Sequence, residues 1–425
     1  MKQFPVYILS LSLRSVLRHY RRNLFLITAI AVGGFMILLM QGYVKYTYWG
    51  IGYSEVKGAG LAHIQLNKKG YAEFAIKDPE KYVLEEAEQA AIQNILKELP
   101  EVLLSSKSLK VSGLLSNGIN SAFFSASGQE FENEKRYRAF RIDAKDGLKG
   151  KNPFDLKGSQ IAVGSGMAKA YDLKLDQTVS LFTTTGEGFQ NAIDSEIQSI
   201  FSFGNMADSM YIFIPLQAAQ KLMATETVDT IKIVLAQNSG EILEWHGNDL
   251  YDFQRRLDRK LQDKGMNIES HLWMDLSQSY KPVKSLYDSI FLVIQILFYS
   301  MVIIYTVNLV TLAIQERTRE IGTFRAIGYN KKDLLFIFGM EGFWIGIISA
   351  SVGLLLGLLG SWLINFSGIQ WTPPGSSTAV GVQVMLEGKD FVSTFLVLLM
   401  LSLIPSFFAS MRVLKLKIVD SLRSE

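Results

Sequence analysis

The chain has 425 residues, 48% of them hydrophobic, a formal charge of +3 and no cysteine. The missing cysteines exclude disulfides and thiol chemistry; the net charge is uninformative until it is divided by region, and nothing in its distribution suggests a nucleic-acid partner. The hydrophobic residues are gathered in blocks and the charge is split. Residues 45–288 hold 28 basic and 32 acidic side chains, net −4, and the remainder is net +7, the pattern of a membrane protein with a basic cytosolic rim and a mildly acidic outer domain.

Residues 1–22 carry Arg14, Arg18 and Arg21 at helical spacing, with Ile8, Leu9, Leu13, Val16 and Leu17 between them. This predicts an amphipathic helix on the cytoplasmic leaflet or, nearly as readily, a plain charged stop. Residues 23–44 are uncharged and long enough to cross a bilayer once. No clean small-residue cleavage site follows, so this first span is expected to stay as an anchor. Tyr43, Tyr46, Tyr48 and Trp49 make an aromatic belt at its far end.

Residues 45–288 are expected in the periplasm. Leu61–Leu66 has strand character, and Pro79–Leu99 has the periodicity of an amphipathic helix, with Ala87, Ala90, Ala91, Ile95 and Leu99 on one side. Leu109–Ser127 alternates like paired strands about Asn117-Gly118, a hairpin signal. Lys149–Gly158 marks a break, and Gln160–Phe213 is β-rich, with turns expected at Gly164–Gly166 and Thr185–Gly188. Thr230–Leu235 is predicted as a strand, Gly247–Lys264 as a charged amphipathic helix and Met266–Trp273 as an extended return. Strand–helix–strand pieces therefore flank a β-rich insertion.

Residues 289–315, the second predicted span, contain no charged side chain, and at 1.5 Å per residue they make roughly 40 Å of helix, more than a hydrocarbon core requires. The chain then turns polar. Residues 316–333 hold Glu316, Arg317, Arg319, Glu320 and Arg325, and Arg317, Ile321 and Arg325 fall on one helical face. Gly328 is the expected stop, and Asn330 with Asp333 the expected cap of the next helix. Two spans joined by such a charged elbow could pass force along the membrane surface; an ordinary basic cytoplasmic loop has the same charge.

Residues 334–366 form the third predicted span. Gly339, Gly342, Gly346, Ala350, Gly353, Gly357 and Gly360 recur along one face, a stripe for close helix packing, within the subunit or across a dimer. Leucine at Ser349, on the opposite side, is expected to matter less than leucine at Gly346 or Gly353. Glu341, near the start of this span, is either a functional acid or one that snorkels to the interface. Residues 367–389, with Trp371 and Pro373-Pro374-Gly375, form a short outer loop, and residues 390–411 a fourth span bent at Pro405. Arg412, Lys415 and Lys417 place the tail, residues 412–425, in the cytosol.

Chemistry is sparse. There is no P-loop, and Gly147–Lys151 has the wrong spacing for one. His19, His63, His246 and His271 are isolated, without metal-ligand spacing. Gly164-Ser165-Gly166 lacks the full nucleophile-elbow pattern. No catalytic, cofactor or metal residue is assigned.

The string E-R-x-R-E-I-G-x-x-R-A-I-G, followed after about a dozen residues by Glu341-Gly342 at the head of a glycine-rich span, resembles the FtsX-like, MacB-type permease family (type VII) of ABC transporters. The resemblance extends to LRSVLRHYRRNLFLITAIAVGG, GLAHIQLNKKGY, INFSGIQWTPPG and IVDSLR. Tyr329 departs from it, standing where relatives usually carry a small residue. The resemblance implies four transmembrane helices, arranged 1 + 3, and a large α+β periplasmic domain. In it, residues 54–148 and 228–285 make a split βαβ porter-like lobe and residues 149–227 a β-rich inserted lobe. It implies a bacterial inner-membrane permease without a nucleotide site of its own, coupled through Glu316, Arg317, Arg319, Glu320, Gly322, Arg325, Ala326 and Gly328 to a cytoplasmic ATPase dimer that binds ATP and magnesium. A second permease, identical or related, and membrane lipids are the other implied partners; a periplasmic or outer-membrane partner is left open. Gly342, Gly346, Gly353 and Gly357 are the expected packing residues. The segments quoted look closest to lipoprotein-releasing permeases, with a macrolide-exporter type and a non-transporting regulator of cell-wall hydrolases as alternatives. About 22 residues precede the first span and the outer domain is large, which weighs against the two alternatives in turn.

Overall fold

The computed structural model describes residues 12–18, 20–75, 77–138, 147–202, 206–236, 248–278, 280–316, 318–371 and 380–411. The basic tail, Arg317, His19, His246 and the Pro373-Pro374-Gly375 segment lie outside them. The main helices are α1 (Tyr20–Tyr53), α2 (Glu86–Lys97), α3 (Leu216–Met223), α4 (Asn248–Asp263), α5 (Tyr280–Glu316), α6 (Thr318–Ala326), α7 (Lys331–Ser367) and α8 (Gly388–Ser410). The chain divides into two compact units: one made of residues 1–47, 284–371 and 381–425, the other of residues 48–283 and 372–380.

In the first unit, α1, α5, α7 and α8 are long and apolar enough to cross a membrane. The helices overrun the predicted spans, because helical pattern continues into the flanking polar sequence: α1 reaches Tyr53, beyond residue 44, and α5 begins at Tyr280, before residue 289. The glycine stripe packs within the chain, and it divides between two partners. Toward the elbow end, Gly342 lies against Ser406, whose neighbour Ser402 donates its hydroxyl to the Gly342 carbonyl at 2.8 Å. A Cβ on Gly346 would stand 3.0 Å from Leu399 and 3.1 Å from Ser402. Further along, Gly353 meets the backbone of Ala31, where a Cβ would come within 2.8 Å of a carbonyl oxygen, and Gly357 and Gly360 face Leu38 and Phe35. One face of α7 is therefore shared by α8 and α1. Ser349 corrects the expectation for the opposite side: it is fully buried, and its hydroxyl bonds the Ile345 carbonyl at 2.6 Å.

The other unit is built on strands β1 (Ile64–Lys68), β2 (Val102–Ser116), β3 (Ser121–Gln129), β4 (Leu148–Gly150), β5 (Gln160–Gly164), β6 (Thr178–Thr184), β7 (Gln190–Phe201), β8 (Tyr211–Pro215), β9 (Thr230–Leu235) and β10 (Ile268–Leu272). Four of them run β10–β1–β9–β2, each antiparallel to its neighbours. With α2 between β1 and β2 and α4 between β9 and β10, this is a pair of interleaved split βαβ units. Leu250, Phe253, Leu257 and Leu261 of α4 are buried at helical spacing, as are Ile92, Ile95 and Leu96 of α2. α2 starts at Glu86, later than Pro79: a 3₁₀ turn occupies Pro79–Tyr82, and Glu85 with Glu88 closes a capping box that begins the helix anew.

The remaining strands close on themselves. β2 pairs β3, β3 pairs β8, β8 pairs β5, β5 pairs β7, β7 pairs β6, and β6 returns to β2 through Leu114–Ser116. The closure depends on Gly113, since a Cβ there would collide with the Phe182 carbonyl. β2 thus belongs to both parts, the four-stranded sheet through residues 102–108 and the closed barrel through residues 108–116. This corrects the expected lobe border at residue 149, because the hairpin β2–β3 is part of the barrel. The hairpin turn itself has a local cause: the Asn117 side chain accepts from the backbone of Ile119 at 3.0 Å and of Asn120 at 2.7 Å. Residues Ser165–Ala170, expected to begin as a turn, are a short helix. After β10, Trp273 opens another helical turn instead of continuing the strand.

A buried charge cluster joins the two parts of this unit. Glu134 accepts from Lys232 at 3.1 Å, from Ser106 at 2.8 Å and from Tyr137 at 2.9 Å, and it pairs with Arg138 at 3.5 Å. Arg138 donates to the Gly58 carbonyl at 2.7 Å and lies over the rings of Phe154 and Phe213, while Tyr137 donates to the Gly60 carbonyl at 3.1 Å. Burial opposes ionisation of Glu134, but Lys232, Arg138 and the two hydroxyls outweigh it and hold the carboxyl below the usual range. Two cations share one carboxylate, and burial also makes Lys232 easier to deprotonate than a free lysine.

Glu134→Gln leaves two buried cations without their anion and should lower stability by about 3–5 kcal/mol. Because the native carboxyl is depressed, its contribution is present above the unfolded glutamate range near about 4.3 and is lost as pH falls through the native value. Melting temperatures measured from neutral to acid pH should show the gap between wild type and Glu134→Gln closing on acidification; a gap independent of pH would contradict this. Separately, Gly346→Leu and Gly353→Leu should cut the yield of folded protein in detergent, whereas leucine at the exposed Ser351 should not; equal yields for all three would remove the packing argument.

Candidate functional site: the elbow between two apolar helices

Residues 316–333 turn the chain from α5 back into α7. Thr318 starts α6 with its hydroxyl on the carbonyls of Gln315 at 2.7 Å and Ile314 at 3.2 Å. The helix stops because Gly328 takes φ +109°, a left-handed conformation that a side chain resists. Two residues later Asn330 and Asp333 form a full capping box, Asn330 N–H donating to the Asp333 carboxylate at 3.0 Å, and α7 begins. Start, stop and restart are all set by local hydrogen bonds and one glycine.

Apolar contacts hold the elbow against the ends of its two long helices. Ile321 is fully buried in a cluster with Ile314, Leu334, Ile337 and Phe338, and Phe324 and Tyr329 pack on it. The Tyr329 ring stands edge-on to Phe324, centroids 5.4 Å apart, and Tyr329 N–H closes the turn on the Phe324 carbonyl at 3.1 Å. The residue that departs from the family pattern is therefore a staple of the turn. Gly322 is buried on the same inner side. Glu316, Ala326 and Gly328 are exposed, and Arg319, Glu320 and Arg325 occupy positions on α6. Of the expected coupling residues, Arg317 lies outside the described residues.

Ile327 was not singled out by its sequence. It is 72% exposed beside Ala326 and Gly328, while its neighbours on the inner side are packed away. An aliphatic side chain held out by a rigid turn is a contact feature. Its signal was the A-I-G string, but periodicity alone assigns that isoleucine to a core.

Glu341 lies one helical stretch further on and is nearly buried, at 7% exposure. It lines a cavity of about 20 Å³ with Asn23, Leu26, Leu309 and Phe338, so side chains from α1, α5 and α7 converge there. Asn23 donates to the Val16 carbonyl at 2.9 Å. The acid thus faces other helices at the elbow end, as a polar side chain in an apolar bundle must.

Residues 290–418, which include the elbow and Glu341, match the family model described as FtsX-like permease C-terminal. The ABC transporter permease YtrF of Bacillus subtilis is 37% identical over 60 residues, 14% of this chain and 14% of that protein. The macrolide export ATP-binding/permease proteins MacB of Haemophilus ducreyi and Brucella abortus are 27% identical over 118 residues and 34% identical over 62. Those two matches take in 28% and 15% of this chain, and 15% and 10% of the relatives. The chain therefore spans only about a seventh or less of the length of the curated relatives it matches. Among solved structures, the periplasmic region of MacB from Actinobacillus actinomycetemcomitans is similar at TM-score 0.33 and 11% identity, covering 51% of this chain and 91% of that one. The extracellular domain of YknZ from Gram-positive bacteria is similar at TM-score 0.33 and 13% identity, covering 49% and 98%. Over residues 290–418 the chain is therefore similar to the FtsX-like permease C-terminal family, and over shorter stretches to ABC transporter permeases.

Proposed function

We propose that the chain is the permease subunit of an ABC transporter, driven by a separate cytoplasmic ATPase dimer that binds ATP and magnesium and docks on the elbow. The elbow carries this proposal. It is a short helix with a fixed stop and restart, packed inward through Ile321, and it holds Ala326, Ile327 and Gly328 outward. A force applied to such a turn passes into α5 and α7 instead of being absorbed by bending, which is what mechanical transmission to an outer domain requires. The charge bias supports an orientation with residues 316–333 and the tail in the cytosol and residues 45–288 in the periplasm; a bacterial inner membrane and a second permease complete the proposed setting.

For the substrate we propose a hydrophobic or lipidated molecule, handled as a lipoprotein-releasing permease would. The matched relatives named for macrolide export support export of a small hydrophobic substrate equally well. Reconstituted complexes offered a triacylated lipoprotein and a macrolide in parallel would separate the two.

Arg325→Glu, Ile327→Asp and Gly328→Leu should leave insertion intact while ATPase stimulation and transport fall together. Loss of a buried partner contact costs on the order of 2–5 kcal/mol. Normal hydrolysis and transport in all three variants would make the elbow an ordinary loop. Orientation is tested in the same cysteine-free chain. A membrane-impermeant maleimide on intact spheroplasts should label Lys174→Cys, 73% exposed, and not Asn330→Cys. Labelling of Asn330→Cys without lysis would invert the topology.

A further inference from the structure

α7 and α8 pack tightly where Gly342 and Gly346 meet Ser406, Ser402 and Leu399, but they part toward the elbow. One turn nearer the elbow a cavity of about 350 Å³ opens between them. Phe336, Gly339 and Met340 form its α7 wall, and Leu403, Ile404 and Phe407 its α8 wall. The Phe407 ring leans over the bare backbone of Gly339, 3.1 Å from where a Cβ would stand. Phe336, Ile404 and Phe407 are each about half exposed, so the cavity is a groove open to the surroundings of the helix pair. Both helices are apolar enough to cross a membrane, and those surroundings are then lipid.

Size and lining decide what the groove can hold. One turn of helix, about 10 Å across and 5.4 Å long, occupies roughly 400 Å³, so no length of a partner helix fits. The lining residues are all apolar, so a water-soluble ligand would give up its hydration without a hydrogen bond in return. A methylene chain meets neither obstacle. The mouth of the groove adds a charge. Lys332 stands one turn before Phe336, on the same face of α7, exposed and without an ion pair among the described residues. The acid beside it, Asp333, is already engaged by the Asn330 N–H at 3.0 Å. Helical rise places Lys332 about 6 Å from Phe336 along the axis, which is headgroup level when the groove lies in hydrocarbon, since each headgroup layer is about 5–7 Å deep. We propose that the groove is a site for one anionic phospholipid, with an acyl chain between α7 and α8 and the phosphate at Lys332. Basic side chains at the ends of membrane helices attract anionic headgroups in this way. Lipid on the other helix faces only solvates them; here charge selects the molecule and the groove fixes its place. That place adjoins Leu334, Ile337 and Phe338, on which the elbow packs.

The test uses the full-length chain, and it stands whichever side of the membrane the elbow faces and whether or not an ATPase docks there. The chain is reconstituted in vesicles of phosphatidylcholine and phosphatidylglycerol, extracted in mild detergent and weighed by native mass spectrometry. It should keep a single phosphatidylglycerol in preference to phosphatidylcholine. Ile404→Trp, which fills the groove from a half-exposed position, should abolish retention, whereas Leu359→Trp, at an exposed position elsewhere on α7, should not. Lys332→Glu should weaken phosphatidylglycerol retention by about fivefold or more and leave phosphatidylcholine unaffected. None of the three replaced side chains is buried, so melting temperatures should hold, which separates a lost site from lost folding. Inorganic phosphate should not compete. Equal retention of the two lipids, retention that survives Ile404→Trp or Lys332→Glu, or displacement by inorganic phosphate or by a triacylated lipoprotein would each overturn the proposal.

Discussion

One carboxylate organises the outer unit. Glu134 sits between Lys232 of β9 and Arg138, and through Tyr137 and Arg138 it reaches the backbone at Gly58 and Gly60. A buried anion must be surrounded by donors or it does not stay charged. Satisfying it therefore brings together β2, β9, the helix Phe131–Tyr137 and the segment that follows α1. Arg138 then extends the cluster onto Phe154 and Phe213 of the barrel. Replacing such a cluster by apolar residues can be neutral, but removing one member is not, so its members are interdependent.

The other unit is organised by approach instead of charge. Water gives no hydrophobic drive between helices inside a bilayer, so contact distance decides which helices associate. α7 supplies glycines where α8 and α1 come closest, and serine hydroxyls return their hydrogen bonds to nearby carbonyls, as Ser402 does to Gly342. At the ends of these helices away from the elbow, Lys45 pairs with Glu387 and Asp390, and Asn365 holds the Val384 backbone through both its amide atoms. α5 takes a smaller share in this packing and exposes Leu292, Ile296, Leu297 and Ile304 along its length. The elbow joins that loosely packed helix to the tightly packed α7. The proposed coupling would act on this junction.

Much of the elbow was legible from residues alone. Gly328 as stop and Asn330 with Asp333 as cap are local features, decided within a few residues by backbone conformation and side-chain hydrogen bonds. The same holds for the Asn117-Gly118 turn, for β9, and for the four apolar blocks, whose composition over twenty or more residues leaves few alternatives. The outward position of Ile327 and the Phe324–Tyr329 contact were not legible, because the side an aliphatic residue takes at a turn depends on what packs behind it.

What the sequence by itself determined, then, is whatever its near neighbours enforce: where helices begin and stop, where the chain is apolar enough for lipid, and that the elbow is short and capped. Tertiary structure decided everything that needed a partner far along the chain. The border between the sheet and the barrel moved into the middle of β2 because β6, more than sixty residues later, pairs with its far end. The glycine stripe found its partners in α8 and α1, because a helix face has no intrinsic inside until other helices surround it. Ser349, by contrast, three residues after Gly346 and four before Gly353, stands on that same side by helix geometry and is buried with it. Glu134, Lys232 and Arg138 showed no pattern as a string, since a buried ion cluster is defined by the distances that folding creates, not by spacing along the chain.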